Sequence, residues 1–298
     1  MTEPRFGRVI TAMVTPFDEA GAVDLAGAVA LARFLVDEGS DGLVVAGSTG
    51  EGTSLSDEEK LDLFAAVAAA VRVPVLAGTT SSDTARSIAL TKRASQTGVS
   101  GILATTPAYA RPSQHGLEEH LGSVADATAL PVMLYDIPSR TGRKIAATTA
   151  IALARSRANV VALKDASGDL VGAAHVAAEL RGRLDLYSGD DSLVLPFLAI
   201  GGVGVVSVAG HWAGPEFAAM VRAAEAGDWT RARELNARLA PSCAFESTEL
   251  APNPIPAKAA MRYLGLAVGQ CRWPLGPADE SVDHEAARVV AELRAARG

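Results

Sequence analysis

Lys164 closes the apolar run Val160-Val161-Ala162-Leu163-Lys164. An ammonium group at the C-terminal tip of a strand that reads as fully buried asks for a chemical reason. The chain has five lysines (Lys60, Lys92, Lys144, Lys164 and Lys258) among 27 basic residues, so arginine is its usual cation. Arginine keeps its charge in proteins. An amine in an apolar pocket is pushed toward its neutral form by desolvation, and a neutral amine can attack a carbonyl carbon to give a Schiff base. The competing reading is a lysine that snorkels from the strand end into solvent.

Three other segments carry groups that suit such chemistry. Gly47-Ser48-Thr49-Gly50-Glu51 can form a tight turn whose amides and hydroxyls hold a small carboxylate. A plain turn, or a phosphate site opposed by Glu51 unless that side chain points outward, are the alternatives. Tyr135 ends another apolar run and can shuttle a proton or hydrogen-bond an imine, or else pack in the core with its hydroxyl satisfied. Arg140 can clamp a carboxylate in bidentate fashion, or form a surface ion pair. Asp136, Asp165, Asp169, Asp190 and Asp191 could suggest a divalent cation, but loop aspartates commonly cap helices, and Asp191-Ser192 before Leu193-Val194-Leu195 has the form of a cap.

Composition narrows the partners. A net charge of −7 with no basic cluster argues against nucleic acid or an anionic membrane surface. No apolar run reaches the roughly 18 residues that span a bilayer, and Met1 to Arg8 lacks the apolar centre of an export signal, so a cytoplasmic protein is expected. Cys243 and Cys271 stand alone, without CxxC spacing, and the five histidines (His115, His120, His175, His211 and His284) include no HxxxH or HExxH pair. Two reduced thiols and no metal are expected.

The elements that must position these residues recur regularly. Val9–Val14, Gly42–Ala46, Val73–Ala77, Gly101–Thr105, Pro131–Tyr135, Val160–Lys164, Leu184–Ser188 and Gly204–Val208 are short apolar, β-branched runs. Most are separated by helical periodicity, as at Leu25, Val29, Ala32, Leu35 and Val36, with Gly39 as a stop. Ser56-Asp57-Glu58-Glu59 has capping-box form, and Gly98 closes a helix that begins near Asp83. Buried strands alternating with amphipathic helices, at a spacing of roughly 20 to 35 residues, predict an α/β chain folded as a (β/α)8 TIM barrel. A doubly wound open sheet is less favoured, because neither GxGxxG nor a Walker loop occurs. The expected division is a catalytic barrel over 1–214 and a C-terminal helical region over 215–298. In such a barrel the strand C-termini meet at one mouth, and the chemistry-bearing residues all fall there.

Four motifs in order carry a resemblance: Gly47-Ser48-Thr49-Gly50-Glu51, Tyr135-Asp136-Ile137-Pro138-Ser139-Arg140-Thr141-Gly142, Lys164-Asp165-Ala166-Ser167-Gly168-Asp169 and Asn253-Pro254-Ile255-Pro256-Ala257-Lys258. Together they resemble the dihydrodipicolinate synthase family of class I pyruvate aldolases, from about Val9 to the C-terminal helices. The resemblance implies that Lys164 forms the Schiff base with pyruvate and that Thr49 and nearby amides hold the pyruvate carboxylate. Tyr135 would lie over the imine and carry protons, with Ser48 linking it to a second tyrosine, Tyr109, which in the family enters the neighbouring subunit's site. Arg140 would bind the carboxylate of L-aspartate 4-semialdehyde, and Gly189 and Val206 match positions that line the pyruvate site through backbone groups. The implied enzyme needs no metal or organic cofactor and assembles as a homotetramer, a dimer of dimers.

Two departures separate this chain from the family pattern. Most synthases have threonine where Ser48 stands, and Gly-Ser-Thr-Gly-Glu also occurs in N-acetylneuraminate lyases, so a lyase acting on that sugar or a keto-deoxy sugar acid stays open as an alternative. A slower relay, not a dead one, is expected from the looser serine rotamer. At the positions that bind feedback lysine in sensitive members, alignment through the motifs gives Asp57, Lys60, Ser82, Arg86 and Ala108, a set expected not to bind lysine. A non-catalytic ligand-binding barrel is the alternative from another class, disfavoured because mere binding needs no nucleophilic amine. A phosphosugar isomerase would need a catalytic carboxylate that the sequence does not place.

Overall fold

The computed structural model describes residues 3–297. Eight parallel strands close into a barrel: β1 (Val9–Ala12), β2 (Gly42–Val45), β3 (Val75–Gly78), β4 (Gly101–Thr105), β5 (Val132–Asp136), β6 (Val160–Asp165), β7 (Asp185–Ser188) and β8 (Gly204–Ser207). β8 returns to β1 with Val206 opposite Ile10. The predicted (β/α)8 barrel is therefore the fold, with strand ends shifted by up to two residues, some trimmed and those of β3, β5 and β6 extended by one at the C-terminal side.

Successive side chains on a strand face opposite sides, so each strand feeds two apolar layers. Ile10, Val44, Leu76, Leu103, Met133, Tyr135, Ala162, Tyr187 and Val206 fill the barrel interior. Val9, Leu43, Val45, Val75, Ile102, Val132, Leu134, Leu163 and Val205 pack outward against the helices. Both faces are covered, which is why the strands read as continuous apolar runs. Burying such a side chain stabilises by roughly 1.5–3 kcal/mol.

One strand breaks the alternation. Between β5 and β6 the register steps from Val132 opposite Val160 to Met133 opposite Ala162, so Val161 is an extra residue. Val160 belongs to the outer layer, yet Ala162 belongs to the inner one. A one-residue bulge switches which side chains face inward, and here it turns Ala162 and Lys164 into the barrel.

The helices start where the sequence supplies caps. Ser56 and Glu59 form the expected capping box at the head of the helix Asp57–Ala70. The helix Thr84–Ala94 ends before Gly98, which lies in the following turn with φ +88°. Asp191 is not a cap. Asp190 caps the short turn Asp191–Leu193, whereas Asp191 is buried and its Oδ2 accepts from Ser207 Oγ and the amides of Val208 and Ala209. Its partners lie at the end of β8 and just after it, a long-range choice that local spacing does not reveal.

After β8 the chain continues in the helices Gly210–Glu225, Trp229–Phe245, Ile255–Tyr263 and Glu280–Ala295. The first runs through residue 214, with Ala213 at φ −119° and ψ 17° interrupting its helical geometry just before Pro215. The last is tied back to the barrel by Arg297, whose guanidinium pairs with Glu216 and Glu38. No helix among the described residues is long and apolar enough to cross a membrane.

Candidate active site at the barrel mouth

Lys164 sits one residue before the end of β6 and is 4% exposed. Its register partners are Tyr135 on β5 and Tyr187 on β7. The two tyrosines do different things. Lys164 Nζ lies 4.2 Å from the centroid of the Tyr135 ring, so the amine is covered by an aromatic face. Tyr187 instead donates its hydroxyl to the Gly7 carbonyl, 2.8 Å away, ahead of β1 at the opposite end of the barrel. The strand-end lysine thus does not snorkel outward.

The loop after β7 makes room for that lysine. A β-carbon on Gly189 would lie 3.0 Å from Lys164 Cγ and 3.1 Å from Cε. Glycine leaves the space through which the lysine stem reaches the mouth. Val206 on β8 is fully buried in the inner layer.

After β2 the chain turns sharply, with Ala46 and Glu51 both in the left-handed region. The Gly52 amide donates to the Gly47 carbonyl, and a β-carbon at Gly52 would meet the Ala46 carbonyl oxygen at 2.1 Å, so only glycine closes the turn. The amides of Ser48 and Thr49 have no acceptor among the described residues. Thr49 is buried, and its Oγ1 accepts from Asn253 Nδ2 at 2.9 Å. Glu51 is paired with the C-terminal region, where its Oε1 lies 2.7 Å from Lys258 Nζ with neither side chain exposed. Arg272 donates its amide to Glu51 Oε2, so the acid is paired and does not oppose an anion at the turn.

Arg140 lies in the short helix Pro138–Thr141 and is exposed, with Nη2 donating to the Asn253 carbonyl at 2.8 Å. A cavity of about 400 Å³ opens beside it and is lined by Ser48, Lys60, Ser82, Thr105, Ala108 and Arg140. Tyr109, in the loop after β4, lies apart from this enclosure: its side chain is 96% exposed and its φ is +70°. Its own chain offers it no packing.

The aspartates take structural places. Asp169 caps the helix Leu170–Glu179 and pairs with Lys144. Asp136 and Asp165 are buried neighbours at the ends of β5 and β6. Burial pushes Asp136 up to about 7, against a hydrogen bond from the Ile145 amide that favours the charged form. His211 is also structural: burial lowers it to about 4, and its Nε2 accepts from the Val14 amide. Among the described residues no group of three or more His, Cys, Asp or Glu is placed to hold a metal.

At the expected effector positions, Arg86 grips Asp57 with Nη2 2.9 Å from Oδ1, and Ser82 donates to the Ala108 carbonyl at 2.9 Å. Lys60 is buried against the cavity, and desolvation holds its ammonium below the usual lysine range.

A closed parallel barrel with its polar groups gathered at the strand C-termini defines the chain as a (β/α)8-barrel enzyme. It matches the dihydrodipicolinate synthetase family over residues 5–293, and the chain belongs to that family. It is 49% identical over 273 residues to a 4-hydroxy-tetrahydrodipicolinate synthase of Moorella thermoacetica, covering 91% of this chain and 92% of that one. Identity to the synthase of Bacillus subtilis is 44%, covering 97% and 99%. The crystal structure of DHDPS from Cyanidioschyzon merolae with lysine bound superposes with a TM-score of 0.95 at 41% identity, covering 98% and 99%.

Proposed function

We propose that the chain is a 4-hydroxy-tetrahydrodipicolinate synthase, a lyase of lysine and diaminopimelate biosynthesis that condenses pyruvate with L-aspartate 4-semialdehyde. The carrying observation is the buried Lys164 amine 4.2 Å from the Tyr135 ring, with Gly189 leaving room for its stem. Lys164 adds to the ketone of pyruvate and water leaves, giving a Schiff base. The Thr49 hydroxyl and the free amides of Ser48 and Thr49 receive the carboxylate. Loss of a methyl proton gives the enamine, which attacks the aldehyde carbon. Attack of the second substrate's own amine on the imine then frees Lys164 and closes the ring. Tyr135 carries protons over the imine, and Ser48 connects it toward Tyr109.

Arg140 stands at the exposed edge of the cavity, where an acidic aldehyde would enter. The exposure of Tyr109 supports its role in a neighbouring subunit's site, within a homotetramer built as a dimer of dimers. The protein works in the cytoplasm. Pyruvate-dependent borohydride trapping at Lys164, followed by assays with both candidate aldehydes, tests the reading.

A further inference from the structure

We propose that Asn253 is a positioning residue that sets the hydrogen-bonding direction of Thr49, so that the Thr49 hydroxyl donates to the substrate carboxylate. This rests on the reading of Lys164 and Thr49 given above. Asn253 lies between the helices Trp229–Phe245 and Ile255–Tyr263, outside the barrel strands, and is 7% exposed. Its Nδ2 donates to Thr49 Oγ1 at 2.9 Å across a separation of 204 residues. A hydroxyl has one proton to give. With the amide NH2 supplying the bond between these two residues, the Thr49 proton is left for a different acceptor. Beside it the Ser48 and Thr49 amides are also without acceptors among the described residues. Three donors of one turn are therefore left for an acceptor from outside the chain, and Asn253 determines that the hydroxyl is one of them.

Two further observations fit this role. The backbone carbonyl of Asn253 accepts from Arg140 Nη2 at 2.8 Å. Asn253 thus touches the groups proposed for both substrate carboxylates, Thr49 through its side chain and Arg140 through its backbone. Five residues on, Lys258 holds Glu51 at the end of the same turn, so the C-terminal segment fixes that turn at two points. The segment Asn253-Pro254-Ile255-Pro256-Ala257-Lys258 is then a support for the carboxylate turn of the barrel.

The split between side chain and backbone makes the role separable. Asn253→Asp keeps the size and the carbonyl but offers only acceptors, so the Thr49 proton turns toward it and a negative charge faces the anion site. The expected result is a rise of about tenfold or more in KM for pyruvate, with KM for L-aspartate 4-semialdehyde changed by less than about threefold. In a Thr49→Val background the same substitution should add little further to KM for pyruvate, because the group it acts through is gone. Asn253→Ser serves as a second variant if Asn253→Asp does not fold, since it also loses the amide donor. An unchanged KM for pyruvate in a folded variant, or equal rises in KM for both substrates, would overturn the role. So would a full additive effect in the Thr49→Val background. Borohydride trapping of the unaltered protein separates the two readings: no pyruvyl adduct on Lys164 removes both, whereas a normal adduct with unchanged kinetics in Asn253→Asp removes this one alone.

Discussion

Gly189 and Lys164 fit together because one has no side chain. A β-carbon at 189 would approach Lys164 Cγ to 3.0 Å and Cε to 3.1 Å, and would also come within 2.9 Å of Ala166 Cβ. Gly189→Ala should therefore displace the lysine stem and leave the barrel folded. Overpacking of this kind costs about 1–3 kcal/mol. The expected outcome is a kcat at least about tenfold lower with a small change in melting temperature. Wild-type kcat in this variant would show that the lysine tolerates the contact.

Lys258 and Glu51 form a fully buried pair, and breaking one side leaves a charge without compensation. Burial holds the Lys258 ammonium below the usual lysine range, and the neighbouring Glu51 carboxylate offsets part of that effect. Lys258→Met should destabilise the protein by about 3–5 kcal/mol. Lys258→Met with Glu51→Gln should cost less than the single change. Denaturant titrations of both variants check this; a double variant less stable than Lys258→Met contradicts it.

Stability should depend on pH through Asp136. Its folded pKa of about 7 lies above the ordinary aspartate value, chiefly because burial disfavours the carboxylate. Between about pH 4 and pH 7 the folded protein keeps a proton that the unfolded chain has released, so this group's contribution falls as pH rises through that window. Asp136→Asn should flatten that slope and raise stability at pH 8, by no more than about 4 kcal/mol. Melting temperatures at pH 5 and pH 8 measure it, and an unaltered slope in the variant contradicts the assignment.

L-Lysine should not inhibit at physiological levels. The acid at 57 is occupied by Arg86, and the buried Lys60 ammonium faces the cavity that would have to accept a second ammonium. Initial rates with millimolar lysine are expected to match those without it. Submillimolar inhibition at an intersubunit site would sink the reading.

The barrel was legible because its strands are buried on both faces: Gly101–Thr105 appears at its expected bounds, and the others differ only at their ends. The capping box at Ser56 was legible for a related reason, since both partners lie within one turn. The inward turn of Lys164 was not. It depends on the extra residue at Val161, and nothing in the apolar run Val160–Leu163 distinguishes a bulged strand from a regular one. The partners of Thr49 and Glu51 were hidden by distance, as Asn253 and Lys258 are brought in from the C-terminal region. The motif holding both was visible, but sequence alone gave no sign of which loop it would meet. Asp191 shows the converse: its local pattern suggested a cap, and amides beyond β8 claimed the side chain.

Reduction by borohydride in the presence of pyruvate, followed by peptide mass mapping, tests the central claim most directly. The expected result is a pyruvate-dependent adduct on the peptide containing Lys164, in a sample that turns over L-aspartate 4-semialdehyde and not N-acetylmannosamine. Turnover of the sugar alone would keep the amine chemistry and change the acceptor. Absence of any pyruvate-dependent adduct on Lys164 would contradict the mechanism.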